Sequence, residues 1–263
     1  MKKTIIIGLA LAASSSSFAQ ILNATNDWEG TLGTKVNRGG ADNTTAYDNT
    51  ITFTGSGYTG GTTGAAGSVQ STFMIADDIT VLAGEGGKDV LGFSFSSANF
   101  NTATVSASPT VVFWADNAGV PGTLLTGFRF NPLTLNANAV NVWSYSSTSA
   151  LFTLPASGKI WEGISWDNFA DVSNTGITNA QLANVGQATF NPPATGSSAD
   201  VFFQSTAYGN NYSSNPAGGN FFFNGAPVAN FGDKIVTVPE PASMAVLGLG
   251  LLGLVSRRRK SSK

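Results

Sequence analysis

Through the middle of the chain, apolar and polar residues alternate in short runs separated by Gly, Pro, Asn and Asp. This is the pattern of half-buried strands joined by turns. Thr50-Ile51-Thr52-Phe53-Thr54 alternates strictly, which predicts a strand with Ile51 and Phe53 on one face. Gly60, Gly61, Gly64 and Gly67 then predict a flexible loop. From Val69 onward, strands are predicted at Thr72 to Ile75 and Ile79 to Val81, around Ala76-Asp77-Asp78, and at Val90 to Phe100, where Phe93 and Phe95 share a face. Thr110-Val111-Val112-Phe113-Trp114 leads into Asp116-Asn117-Ala118-Gly119-Val120-Pro121-Gly122, and Thr123 to Phe130 returns. Asn and Gly there supply positive φ and Pro ends pairing, so this is the best-formed hairpin in the chain. Val140 to Tyr145, Ala150 to Leu154 and Lys159 to Trp166 come next, the last two joined by a turn at Pro155-Ala156-Ser157-Gly158. Ile177 to Gly186 reads as a helical turn or a loop. Asp200 to Thr206, Asn220 to Phe223 and Lys234 to Val238 complete the set. Turns about ten residues apart predict one all-β domain, an antiparallel β-sandwich, over residues 20–237.

The two ends break the alternation. Lys2 and Lys3 precede an apolar run from Ile5 to Ala13, and Ser17-Phe18-Ala19 carries small residues where a signal peptidase cuts. Residues 1–19 therefore read as a signal peptide, cleaved between Ala19 and Gln20, with no lipidated cysteine after it. Residues 238–263 read as a tail: Val238-Pro239-Glu240-Pro241, an apolar run from Ala242 to Val255, then Arg257, Arg258, Arg259 and Lys260. Pro239 and Pro241 keep Glu240 in an extended, exposed segment. Fourteen residues make about 21 Å of helix against a hydrocarbon core of roughly 30 Å, which taken alone favours a buried or interfacial helix. The four cations decide otherwise, because they can snorkel to a cytoplasmic interface and stop the segment as a transmembrane helix. Gly248, Gly250 and Gly253 are better tolerated in lipid than in water.

Composition narrows the chemistry. The chain has no His and no Cys, which removes Ser-His-Asp and Cys-His nucleophiles, histidine-ligated metals, structural zinc and disulfides. The net charge of −2 conceals a separation: between the two ends lie six Lys and Arg against 14 Asp and Glu, so the middle disfavours nucleic acid as a partner.

Paired carboxylates remain available, and a glycosidase needs two of them roughly 5 to 10 Å apart across a cleft. Glu162 shares a short strand with Trp161, Trp166 and Asp167, so an aromatic-lined carboxylate site is conceivable, although exposed acids at a strand end beside core tryptophans fit the pattern better. The reading is non-enzymatic. Asp77-Asp78, Asp116-Asn117 and Asp167-Asn168 with Asp171 offer oxygen ligands suited to a structural calcium ion, yet Asp and Asn also favour turns for their own geometry; no EF-hand spacing occurs, and no metal site is assigned. For sugar stacking the candidates are Tyr208 and Tyr212, which flank a Gly-Asn-Asn segment; Trp114 and Trp143, inside apolar strands, read as core.

Two resemblances add to this. The tail Val238-Pro239-Glu240-Pro241-Ala242-Ser243, with its Leu/Gly-rich segment and Arg cluster, resembles the PEP-CTERM sorting tail of Gram-negative surface proteins. That resemblance implies an exosortase-like processing enzyme acting on Pro-Glu-Pro, an inner-membrane precursor, delivery to the cell surface or extracellular space, and a link to exopolysaccharide and biofilm. Ala76-Asp77-Asp78-Ile79-Thr80-Val81, Phe113 to Thr123 and Leu154 to Trp161 resemble a jelly-roll-type sandwich of exported bacterial proteins. The expected function is a sorted structural or adhesive envelope component; the alternatives are a carbohydrate-binding module and, behind it, a carboxylate glycosidase.

Overall fold

The computed structural model describes residues 22–23, 29–30, 43–64, 69–168, 176–206, 213–223, 225 and 228–238. In chain order the strands are β1 Leu22–Asn23, β2 Glu29–Gly30, β3 Thr44–Asp48, β4 Phe53–Thr59, β5 Ile75–Thr80, β6 Asp89–Asn99, β7 Val105–Asp116 and β8 Pro121–Arg129. They continue with β9 Leu133–Leu135, β10 Ala139–Ser146, β11 Phe152–Thr153, β12 Lys159–Asp167, β13 Val185–Phe190, β14 Phe202–Ser205, β15 Gly218–Phe221 and β16 Lys234–Thr237. One short helix, α1 Asn179–Leu182, lies between β12 and β13.

The strands form two sheets. The first runs β1-β8-β7-β12-β5-β14-β15 with β9 beside β7; the second runs β2-β10-β6-β13-β4, with β11 and β16 on β6 and β3 on β16. Apart from the short parallel β1–β8 pair, the pairings are antiparallel. The architecture is the expected all-β antiparallel sandwich.

Alternation decides what fills the space between the sheets. Ile79, Val111, Phe113, Ile160, Ile164 and Trp166 of the first sheet share one buried cluster with Tyr47, Phe93, Phe95 and Ile235 of the second. Residues one step along point the other way. Met74, Ala76, Val112, Trp114, Trp161 and Phe203 form a separate apolar layer on the outer face of the first sheet. The segment 213–215 covers that layer: Trp114 Nε1 donates to Ser213 O at 2.9 Å, Leu124 N to Ser214 Oγ at 2.9 Å and Asn215 N to Gly122 O at 2.7 Å.

The β7–β8 hairpin forms where expected. Its turn is closed by Asn117 N to Val120 O at 2.9 Å, and the positive φ values fall on Ala118 and Gly119 rather than on Asn117. Asp116 explains how Ala118 is held there, because its carboxylate accepts from Gly119 N at 3.1 Å and pins the turn. The helical turn at Ile177 to Gly186 condenses to α1, begun by a capping box in which Thr178 Oγ1 accepts from Gln181 N and Gln181 Oε1 accepts from Thr178 N.

Three sequence expectations need correcting. Ile51 and Phe53 do not share a buried face: they are 69% and 43% exposed, because the chain bends at Asn49–Thr52, where Asp48 Oδ1 accepts from Thr50 N and Oγ1, and Tyr47 of β3 takes the buried place. Ala76-Asp77-Asp78 does not interrupt pairing; β5 runs straight through it between β12 and β14, whose ladders supply the backbone partners. The stretch after α1 becomes β13, because Val185–Phe190 pairs with both β4 and β6.

Candidate functional site: a carboxylate cluster inside the sandwich

Asp77 and Glu162 stand directly opposite each other on the β5–β12 pair. Glu162 lies between Ile160 and Ile164, and Asp77 between Ile75 and Ile79, so period-two alternation turns both acids inward, into the space the isoleucines fill. A third acid arrives from the segment 228–233, which enters β16. This segment is irregular yet buried, and its backbone is satisfied by side chains that reach it from both sheets. Ala229 N donates to Asp200 Oδ1 at 2.7 Å, Phe231 N to Asp77 Oδ2 at 2.8 Å and Gly232 N to Ser96 Oγ at 3.2 Å; Asn49 Nδ2 donates to Phe231 O at 2.8 Å. Only glycine fits at 232, where a Cβ would sit 2.5 Å from Phe190 Cε2 and 2.8 Å from Ser96 Cβ. That close approach carries Asp233 into the interior, where it is fully buried.

The three acids are not equivalent. Asp77 is partnered by Phe231 N and by Ser198 Oγ at 3.2 Å. Both carboxylate oxygens of Glu162 and both of Asp233 are buried without a hydrogen-bond partner, as are Tyr47 Oη, Asn49 Oδ1 and Gln187 Oε1. Tyr47 lies beside Ser198 and within the field of Asp77 and Asp233. Asn49 N donates to Asp233 O at 2.9 Å, and Gln187 Nε2 donates to Ile75 O at 2.9 Å.

Burial pushes the carboxyls of Asp77, Glu162 and Asp233 well above the ordinary carboxylate range. The charge of Asp233 and then of Asp77 adds to the rise at Glu162; those of Asp233 and Asp78 add to it at Asp77, partly offset by Phe231 N and Ser198. Burial, then the charges of Asp77 and Asp233, also raise the Tyr47 hydroxyl. Lys234, next in sequence to Asp233, pairs instead with Asp48 at 2.7 Å. On the other face of β5, burial lifts Asp78 to about 6 despite hydrogen bonds from Ala199 N and Ser198.

This arrangement is a closed store of acceptor oxygens, not a cleft. Glu162, Asp77 and Asp233 are each 0% exposed. Among the described residues no group of three acidic side chains is arranged to hold a metal ion. A surface depression of about 350 Å³ lies elsewhere, lined by Thr104, Val105, Ser106, Thr134, Ile177 and Gln181, none of them a carboxylate.

The residues singled out in the sequence scatter. Trp161, Glu162, Trp166 and Asp167 are all buried, Trp161 on the outer layer and Trp166 between the sheets, so no aromatic-lined carboxylate cleft forms. Asp167 is ion-paired with Arg129 inside the fold. Asp116 binds its own turn and accepts from Trp161 Nε1 at 2.9 Å. Trp114 and Trp143 are core, as expected. Val238 is half-buried, and its N–H donates to Asp89 O at 2.9 Å, directly after β16. Ala19, Gln20, Asp171, Tyr208, Tyr212, Pro239, Glu240, Pro241, Arg257, Arg258, Arg259 and Lys260 lie outside the described residues. No described helix is long and apolar enough to cross a membrane, and the apolar run 242–255 is likewise outside them. Sequence reasoning missed Asp233, Tyr47, Asn49 and Gln187. The one legible signal was a lone glycine between Phe231 and Asp233, which marks a close backbone approach.

A family model of the PEP-CTERM protein-sorting motif matches residues 237–260. This motif implies an exported protein with a membrane-associated precursor, processed by an exosortase. No curated protein and no solved structure matches the chain.

Proposed function

We propose that the chain is a sorted structural or adhesive component of the cell surface or extracellular matrix, with exopolysaccharide as its partner and no catalytic role of its own. The observation that carries this reading is the junction at Thr237. β16 pairs with β3 and β6 up to that residue, Val238 N is held by Asp89 O, and the sorting motif spans residues 237–260. The last described strand thus ends where the motif match begins, and the acids singled out in the sequence for a carboxylate site, Glu162 and Asp167, are buried. In this reading residues 1–19 are removed between Ala19 and Gln20 by signal peptidase, residues 242–255 hold the precursor in the inner membrane, and Arg257 to Lys260 keep the terminus cytoplasmic.

The test is intact-mass measurement on chains recovered from the surface and from the inner membrane of an exosortase-bearing host. Wild-type surface chains should lack the apolar run and the basic cluster. Glu240→Ala should leave insertion intact and accumulate full-length precursor in the membrane. Surface chains still ending at Lys263 would overturn the sorting reading. If the chain is sorted but its deletion leaves exopolysaccharide retention unchanged, the matrix role falls while sorting stands.

A further inference from the structure

Almost no chain separates the sandwich from the segment assigned to the membrane. Val238 N still donates to Asp89 O at 2.9 Å, and the apolar run begins four residues later, at Ala242. A proline-rich stretch favours the polyproline conformation at about 3.1 Å per residue, so this tether spans roughly 12 Å, and at most about 14 Å when fully stretched. The headgroup layer between water and hydrocarbon takes up about 5 to 8 Å of that length. The point where the tail leaves the fold is therefore held within about 9 Å of the headgroups even when the tether is stretched and upright.

Hydrogen bonds tie that exit to one end of the sandwich. Thr237 Oγ1 donates to Glu85 Oε2, Leu154 N to Lys88 O at 2.9 Å, Gly87 N to Pro155 O at 3.3 Å, Val81 N to Gly158 O at 2.9 Å and Leu82 N to Ala46 O at 2.8 Å. The loop 81–88 and the turn 155–158 thus lie beside the exit. The β7–β8 turn shares this end, because Ala115 pairs with Ile160 at the start of β12. Leu82 and Val120 are 47% and 36% exposed here, and Lys159 is exposed as well. The acids of this end are engaged: Glu85 with Lys88 and Thr237, Asp89 with Thr153 Oγ1, and Asp116 with Gly119 N and Trp161 Nε1.

We propose that in the membrane-associated precursor this end, made by the loop 81–88, the turn 155–158 and the β7–β8 turn, rests on the headgroups of the inner membrane, with Leu82 dipping into the interface. The proposal rests on the sorting reading above, in which residues 242–255 are the membrane segment. It directs the opposite end, where β6 gives way to β7 at residues 100–104, away from the bilayer. Along β6, from Asp89 to Asn99, the two ends are about 33 Å apart.

The experiment uses the precursor after removal of residues 1–19, reconstituted into vesicles of phosphatidylethanolamine and phosphatidylglycerol with a nitroxide on a fraction of the headgroups. The sequence has no cysteine, so a single introduced one takes a fluorophore without background. A label at Leu82→Cys should be quenched at least about three times more strongly than one at Thr102→Cys, given the roughly 33 Å between the ends. Ala156→Cys, exposed on the neighbouring turn, should behave like Leu82→Cys and decides the matter if that substitution disturbs its loop. Ten Gly-Ser residues inserted between Val238 and Pro239 add a flexible tether of about 17 to 19 Å root-mean-square span, and should cut quenching at position 82 by about half while the chain still floats with the vesicles. Equal quenching at 82, 156 and 102 in vesicle-bound chain overturns the proposal and leaves the sorting reading standing. Chain that does not float with the vesicles overturns both.

Discussion

Along β6 the inward side chains at 93 and 95 are both phenylalanine, whereas along β12 the inward series Ile160, Glu162, Ile164, Trp166 has an acid in its middle. Phe93 meets Phe113, Phe128 and Tyr145 at ring-centroid distances of 5.0, 5.2 and 5.6 Å, in the tilted and edge-on arrangements that aromatic rings favour. That region is complete in itself, because apolar surfaces require only one another. The region around Glu162 is equally buried but incomplete, since a buried oxygen without a partner costs free energy that packing does not return. One sandwich therefore holds two interiors, one stabilised by area and one that buries acids whose oxygens have no hydrogen-bond partner among the described residues.

Truncating the aromatic region should have the largest effect. Phe93→Ala removes a fully buried ring that touches both sheets and is expected to cost about 3 to 5 kcal/mol, measured by chemical denaturation. A loss below about 1 kcal/mol would mean that this half of the core does not dominate stability. Next comes the segment that delivers Asp233. Gly232→Ala places a Cβ against Phe190 and Ser96 and should cost about 1 to 3 kcal/mol, with the damage concentrated at β13 and β16 in hydrogen exchange. A neutral result would show that the approach of this segment is looser than its contacts imply.

The smallest expected effect sits at the edge of the acidic region. The folded carboxyl of Asp78 holds its proton up to about pH 6, against 3.8 in the unfolded chain, so its contribution to stability is fully present below about pH 4 and is lost as pH rises to about 6. Asp78→Asn should flatten Tm in that window by a few degrees relative to wild type, keeping an oxygen for Ala199 N. Parallel profiles for the two chains would mean that the carboxylate is better solvated than its surroundings suggest.

Much of the fold was legible because alternation is a local property. β6, β10, β12 and the β7–β8 hairpin follow from period two and from the residues at their turns, and the placing of Trp114 and Trp143 in the core follows with them. β3 was missed because Thr44–Asp48 carries few apolar residues, and its burial comes from lying on β16, nearly two hundred residues away in sequence. Asp77 misled for a related reason. An Asp-Asp pair is turn chemistry by propensity, yet neighbours on both sides hold it in a strand.

The carboxylate cluster as an assembly was not legible, although Glu162 stood out and the glycine before Asp233 marked a close backbone approach. Asp77, Glu162 and Asp233 are spread across the chain, and nothing local to any of them distinguishes an acid that faces water from one that faces isoleucine. Residues 238–263 are the opposite case: a proline-bracketed glutamate, an apolar run and a basic cluster are adjacent in sequence, so that address could be read without a fold. Composition by itself likewise removes histidine and cysteine chemistry. Which acids are buried, which are partnered and which are left facing one another depends on the register of β5 against β12 and on the path of a glycine-pinned segment between the sheets. Those are long-range contacts, formed when distant strands close on each other, and no window of the chain contains them.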